Sequence, residues 1–176
     1  MDGFEVKGDV AHGFESVKQL FTQQMRTLAE ENAQLCVYHR GKKVVDLWAS
    51  ATGDETFAAD SLVNIFSSGK SLEAIAVGTL VSRGLLEYDA RITQYWPEFG
   101  ANGKDGVTVA DLMRHEAGLA NFDTPLDAKD LFTENIKNNA VGQVIERHGL
   151  SYKPGGKREY HAITRGWIVN ALFRRV

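Results

Sequence analysis

In the run Ile65-Phe66-Ser67-Ser68-Gly69-Lys70 a hydroxyl and an amine stand three residues apart, at the head of a stretch with helical apolar spacing. Three residues is almost one helical turn, so on a helix Ser67 and Lys70 share a face and can meet. A serine hydroxyl is a weak nucleophile until a neighbour takes its proton. A lysine can be that neighbour only where burial and nearby positive potential favour its neutral form. The N-terminus of a helix also aims unpaired backbone N–H groups at a developing oxyanion. Together these residues suit nucleophilic acyl transfer. The same tetrapeptide also fits a helix-capping serine beside a solvated lysine, so the spacing alone does not choose.

Other constellations are weaker. Gly69-Lys70-Ser71 precedes a helix as a phosphate loop does, but Asn64 stands where that loop needs glycine. Bulky Ile65 and Phe66 also occupy backbone that would have to wrap a phosphate. His115-Glu116 begins a zinc-type pattern, and Leu119 replaces its second histidine. His115 is expected to be structural, hydrogen-bonding a loop. His12, His39, His148 and His161 show no ligand spacing, so neither a metal nor an organic cofactor is expected.

The elements that must position Ser67 and Lys70 come from periodicity. Phe14, Val17, Leu20, Phe21, Met25 and Leu28 predict an amphipathic helix over 14–30. Apolar alternation around a turn at Arg40-Gly41-Lys42 predicts a hairpin over about 34–48, with Cys36 packed in the sheet. Residues 50–61 read as loop. A helix from Ser67 to Arg83 should bury Leu72, Ile75, Ala76, Leu80 and Val81, and Gly84 should stop it. A short helix from Asp89 should end ahead of Pro97, and Thr108–Asp111 resembles a capping box. Helices over 134–148 and around Ile163–Leu172 complete the helical region of about 67–175, with a turn at Lys153–Gly156 between them. Trp48, Trp96 and Trp167 are expected as core or groove-lining bulk. Two strands make a poor sheet, and no further strand is legible.

The bulk numbers bound the class. The 176 residues are 43% hydrophobic and 24% charged, an ordinary soluble domain able to bury one sizeable core. A net charge of −3, with scattered basic residues, gives no attraction to nucleic acid or anionic membrane. No apolar run approaches the roughly 20 residues of a membrane span, and the N-terminus lacks an apolar signal core. One cysteine excludes an internal disulfide framework, which leads to an expected cytoplasmic location.

Longer segments carry a resemblance. IFSSGKSLEAIAVGTLVSRGLLEYDARITQYWPEF followed by VTVADLMRHEAGL is similar to the serine β-lactamase superfamily, on its esterase branch, and VYHRGKKVVDLWAS resembles the first hairpin of those esterases. Gly84-Leu85-Leu86, Pro97-Glu98-Phe99 and Leu112–Leu119 fall in the family order. The resemblance implies an α/β (α+β) fold over 1–176, an antiparallel sheet covered by helices plus an all-helical region. It also implies a serine hydrolase whose substrate is a small ester or an amide. After the turn at Pro154-Gly155, the family's tyrosine motif corresponds to Tyr160-His161-Ala162, and the resemblance gives Tyr160 a proton-exchange role beside Lys70 and Ser67. Ala162 departs from the family's Asn or Ser, cannot hydrogen-bond substrate or Lys70 through its side chain, and so favours an ester over an amide.

The family's third motif, Lys-Thr-Gly or His-x-Gly, belongs on a later strand. His39-Arg40-Gly41 matches as a string but sits in the first hairpin's turn, upstream of Ser67, and is rejected. Catalytic expectations therefore rest on Ser67, Lys70 and Tyr160, with weak or absent activity in a chain lacking that strand. The alternative is a truncated, inactive interaction or scaffold protein that self-associates or binds a partner through uncovered apolar faces.

Overall fold

Arg40 and Gly41 both take left-handed φ values, 50° and 76°, the conformation of the two-residue turn whose twist matches that of paired strands. They join β2 (Asn32–His39) to β3 (Lys42–Ser50) as an antiparallel pair. The computed structural model describes residues 4–176 and divides into two units, 1–64 and 65–176.

The first unit holds one strand that the sequence did not reveal. β1 (Lys7–Val10) pairs antiparallel with β3, giving a three-stranded sheet in the order β1-β3-β2. Its Lys-Gly-Asp-Val composition carries little strand propensity, which hid it. Gly8 has φ 92°, and a Cβ there would collide with the Asp46 carbonyl, so the strand can lie against β3 only with glycine at that position. Helix α1 (Glu15–Thr27) buries Phe21 and Met25 with Val45, Leu47 and Ala49 of β3. It is shorter than 14–30, and Leu20 and Leu28 of the expected stripe are exposed. Cys36 is exposed rather than packed, because Leu35 and Val37 take the inward positions of the alternation.

The second unit is helical. A 3₁₀ turn, Phe66–Gly69, leads into α2 (Lys70–Ser82). Gly84 ends that helix in a left-handed cap: its N–H donates to Val81 O and the Leu85 N–H to Leu80 O, each at 3.0 Å. Of the residues expected inside, Leu72 and Ile75 are exposed, and Val77 is the buried one. Only a 3₁₀ turn, Ile92–Gln94, forms in the Asp89 region. Helix α3 (Val109–Met113) has the expected capping box between Thr108 and Asp111.

The helix expected over 134–148 is two, α4 (Thr133–Lys137) and α5 (Ala140–Arg147), broken where Asn139 adopts φ 63°. Helix α6 (Thr164–Phe173) closes the unit. Trp96, Phe99, Ile92, Leu112, Ile145 and Leu172 form its core. Buried Lys104 donates to Ala101 O at 2.7 Å and, at the C-terminal end of α5, to Glu146 O at 3.0 Å and to His148 O.

Candidate active site

Phe66 carries φ 44°, a costly conformation for an aromatic residue, immediately before Ser67. The turn it starts leaves the Ser67 hydroxyl exposed, and Lys70 opens α2 one turn later. Ser67 therefore lies in the 3₁₀ turn rather than on the α-helix. The two side chains still meet, with Lys70 Nζ 3.2 Å from Ser67 Oγ.

Tyr160 arrives from the other end of the unit. Gly156 N–H donates to Lys153 O at 3.0 Å, closing the expected turn, and the chain then runs without helix until Thr164. Tyr160 thus sits four residues ahead of α6, not on its first turn. Its hydroxyl donates to Ser67 Oγ at 2.6 Å. Backbone bonds fix this segment: Glu159 N–H to His115 O and His161 N–H to His115 Nδ1, each at 3.0 Å. Buried His161 donates from Nδ1 to Glu159 O and accepts the Leu119 N–H at Nε2, which sets its neutral tautomer.

Ala162 is a partial correction. Its side chain offers nothing polar, yet its carbonyl accepts from Lys70 Nζ at 2.6 Å, so the backbone holds the lysine where a side chain was expected to be needed. Lys70 Nζ also lies 5.2 Å from the Tyr160 ring centroid. The Ser67 hydroxyl first, then Lys70, hold the Tyr160 phenol below its ordinary value. A phenol held this way reaches its ionised form more readily, and as the phenolate it can take up a proton and return it.

Behind this trio stand His115, expected as a structural histidine and here accepting the His161 N–H, and two charged groups that the sequence reading did not single out. His115, at φ 63°, has its ring centroid 5.1 Å from that of Tyr160. Burial first, then the Arg165 guanidinium, push its pKa down to about 4. Arg165 is 5% exposed and donates from Nε to Glu73 Oε1 at 3.0 Å. The signal for it was present: Arg165, Ile168, Val169 and Leu172 form one buried helical stripe, and a charge in such a stripe needs a buried partner. Glu73, three residues after Lys70, is that partner.

A cavity of about 420 Å³ adjoins Ala162 and is walled by Phe122, Leu126, Leu131, Ile163 and Trp167. Its size and apolar lining suit part of a small organic ligand. A larger concavity, about 550 Å³, lies beside α1 in the first unit and is lined mostly by polar side chains. No group of three or more His, Cys, Asp or Glu side chains able to hold a metal occurs among the described residues.

The model of the Beta-lactamase family matches residues 17–176. The chain belongs to that family. Among curated relatives of this family member, an esterase/β-lactamase, LipL of Mycobacterium tuberculosis, is 38% identical over 145 residues, which are 81% of this chain and 32% of LipL. Among solved structures, a family VIII carboxylesterase aligns with TM-score 0.84 and 32% identity, over 97% of this chain and 46% of that one. A penicillin-binding protein homologue from Caulobacter crescentus aligns with TM-score 0.85 and 29% identity, over 98% and 46%. The fold is therefore the expected β-lactamase/transpeptidase-like α/β fold, and the chain spans less than half the length of these relatives.

Proposed function

We propose that this family member is a serine hydrolase that forms an acyl-enzyme at Ser67 and acts on small esters. The observation that carries the reading is the convergence of Tyr160 Oη at 2.6 Å and Lys70 Nζ at 3.2 Å on one serine oxygen. Ser67 Oγ attacks the ester carbonyl while its proton passes to the Tyr160–Lys70 pair. The tetrahedral intermediate collapses, the C–O bond to the leaving group breaks, and that alkoxide takes the same proton. Water then repeats the sequence on the acyl-enzyme and releases the acid.

An ester is preferred to an amide because the Ala162 methyl has no group to read an amide, and because the adjoining cavity is apolar. Hydrolysis of a chromogenic acetate or butyrate ester by the chain and by its Ser67→Ala variant tests the reading. Turnover abolished by the substitution is expected, and turnover that survives it overturns the proposal.

A second reading is an interaction protein without chemistry. It is favoured by Leu72 and Ile75 of α2, which are 64% and 65% exposed. Sedimentation of the chain and of a Leu72→Glu/Ile75→Glu variant checks it: concentration-dependent association lost in the variant supports this reading, and a monomer in both sinks it.

A further inference from the structure

Arg165 holds more partners than its place in the fold demands. Besides the bond to Glu73 Oε1, its Nη2 lies 3.5 Å from Glu73 Oε2 and donates to Lys70 O at 3.3 Å. Its Nη1 donates to Met113 O at 3.3 Å and lies 3.0 Å from His115 Nε2. One guanidinium thus ties the first residue of α2, the last residue of α3 and the His115 turn to the start of α6. These are the elements that carry Lys70, and through His115 the segment that carries Tyr160.

A buried ion pair is weak evidence for stability, because an apolar pair of similar volume is often as stable or more so. A lysine could supply the charge but not the planar fork that reaches several acceptors at once. From this geometry we infer that Arg165 is a positioning residue for the Ser67–Lys70–Tyr160 constellation, acting through Lys70's backbone and His115. The inference rests on the serine hydrolase reading of that constellation.

His115 transmits the arrangement because it is held neutral. Two donors converge on its ring, the His161 N–H on Nδ1 and the Arg165 guanidinium on Nε2. A neutral imidazole offers one lone pair, here to the His161 N–H, which leaves the ring proton on Nε2 beside the guanidinium, and protonation would remove that one acceptor as well. His115 is accordingly a spacer and not a proton acceptor. The charged and titratable groups facing this cluster are Lys70 and Glu73 from α2, His115 after α3, and Arg158, Tyr160 and His161 from the segment before α6. Among them the Arg165 charge acts on Tyr160 in the same direction as Lys70.

The test uses two readouts on the whole chain. The first is the ionisation of Tyr160, taken as the ultraviolet phenolate titration of each protein minus that of its Tyr160→Phe form. The second is the rate of covalent labelling of Ser67 by a fluorophosphonate probe. In Arg165→Met/Glu73→Met, which replaces the pair by apolar side chains, the Tyr160 midpoint is expected to rise. Labelling near pH 7 should fall about tenfold. Arg165→Lys should restore the midpoint but not the labelling rate. A double variant that titrates and labels like the parent overturns the inference.

Glu73→Gln keeps the guanidinium and provides a measurement if the double variant does not fold. Its Tyr160 midpoint should fall, and an unchanged or raised midpoint also overturns the inference. Labelling that persists in Ser67→Ala while the midpoint still moves would instead count against the hydrolase reading and leave the positioning role of Arg165 standing.

Discussion

The hydroxyl of Tyr160 lies 2.6 Å from that of Ser67, although 93 residues of chain separate them. The contact is made by a turn at Lys153–Gly156 and by backbone bonds to His115, not by the side chain's own burial, since Tyr160 is 52% exposed. Tyr160→Phe removes the hydroxyl and leaves those bonds in place. The rate of Ser67 acylation should drop by about 10²–10³-fold, the range for losing a general acid–base group. The thermal midpoint should change little, because an exposed hydroxyl contributes little to stability. Comparing probe-labelling rates and melting curves of the two proteins checks both halves.

Stability should depend on pH through His115. Its folded-state pKa, about 4, lies below the ordinary histidine value of 6.5. Between those values the unfolded chain binds more protons, so stability is intact above about pH 6.5 and is lost as pH falls towards 4. A shift of this size corresponds to about 3 kcal/mol, and screening of a partly exposed ring reduces that to about 1–2 kcal/mol. Burial lowers His161 in the same direction. Urea midpoints near pH 7 and pH 4.5 should differ less in His115→Gln than in the parent, and equal differences would remove His115 from the account.

Periodicity made the hairpin, α1 and α6 legible, because each has a buried face that repeats at its own spacing, while α3 was marked by its capping box. Where it failed, a local conformation or a missing cover was responsible. Asn139 at φ 63° breaks one apolar run into two helices, and nothing in the pattern of 134–148 announces it. Leu72 and Ile75 fit a helical stripe but have no element of the described residues over them. β1 is held by backbone pairing at Gly8 and not by its side chains. At the candidate site, spacing put Ser67 and Lys70 within reach of each other without choosing a role for them, and Tyr160 came only from the family's segment order. Arg165 and Glu73 were readable in principle, as charges on buried helix faces. The Ala162 contact was not, because it is a backbone carbonyl that any residue could supply.

Gly118 should tolerate no side chain. At φ 76° its missing Cβ would overlap the Tyr152 carbonyl oxygen and press Leu150 Cδ2 at 3.3 Å. Its own carbonyl accepts from Ser151 N–H at 2.9 Å, and the next N–H, on Leu119, donates to His161. Gly118→Ala is therefore expected to cost about 2–4 kcal/mol and to slow Ser67 labelling as well, through displacement of the Tyr160 segment. Gly149→Ala is the control, since its Cβ would meet nothing nearer than Asn102 O at 3.9 Å. Chemical denaturation of both variants settles the matter: equal losses would refute the close approach at Gly118.

On the proposed ester-hydrolase reading, the cavity beside Ala162 should set how long an acyl chain is accepted. Trp167 and Leu131 are among its walls, and its apolar lining gains about 0.8 kcal/mol, or roughly fourfold in kcat/KM, for each methylene buried. Along a series of chromogenic esters the parent should gain with chain length until the wall is met and then lose. Trp167→Ala lengthens the space and should move the optimum to longer chains, and Leu131→Trp fills it and should move the optimum to shorter ones. Steady-state kcat/KM across the series provides the measurement. The opposite shifts matter more than absolute rates, because a variant that is merely less stable loses activity on all esters alike. An optimum that stays in place in both variants would mean that the acyl chain lies outside this cavity.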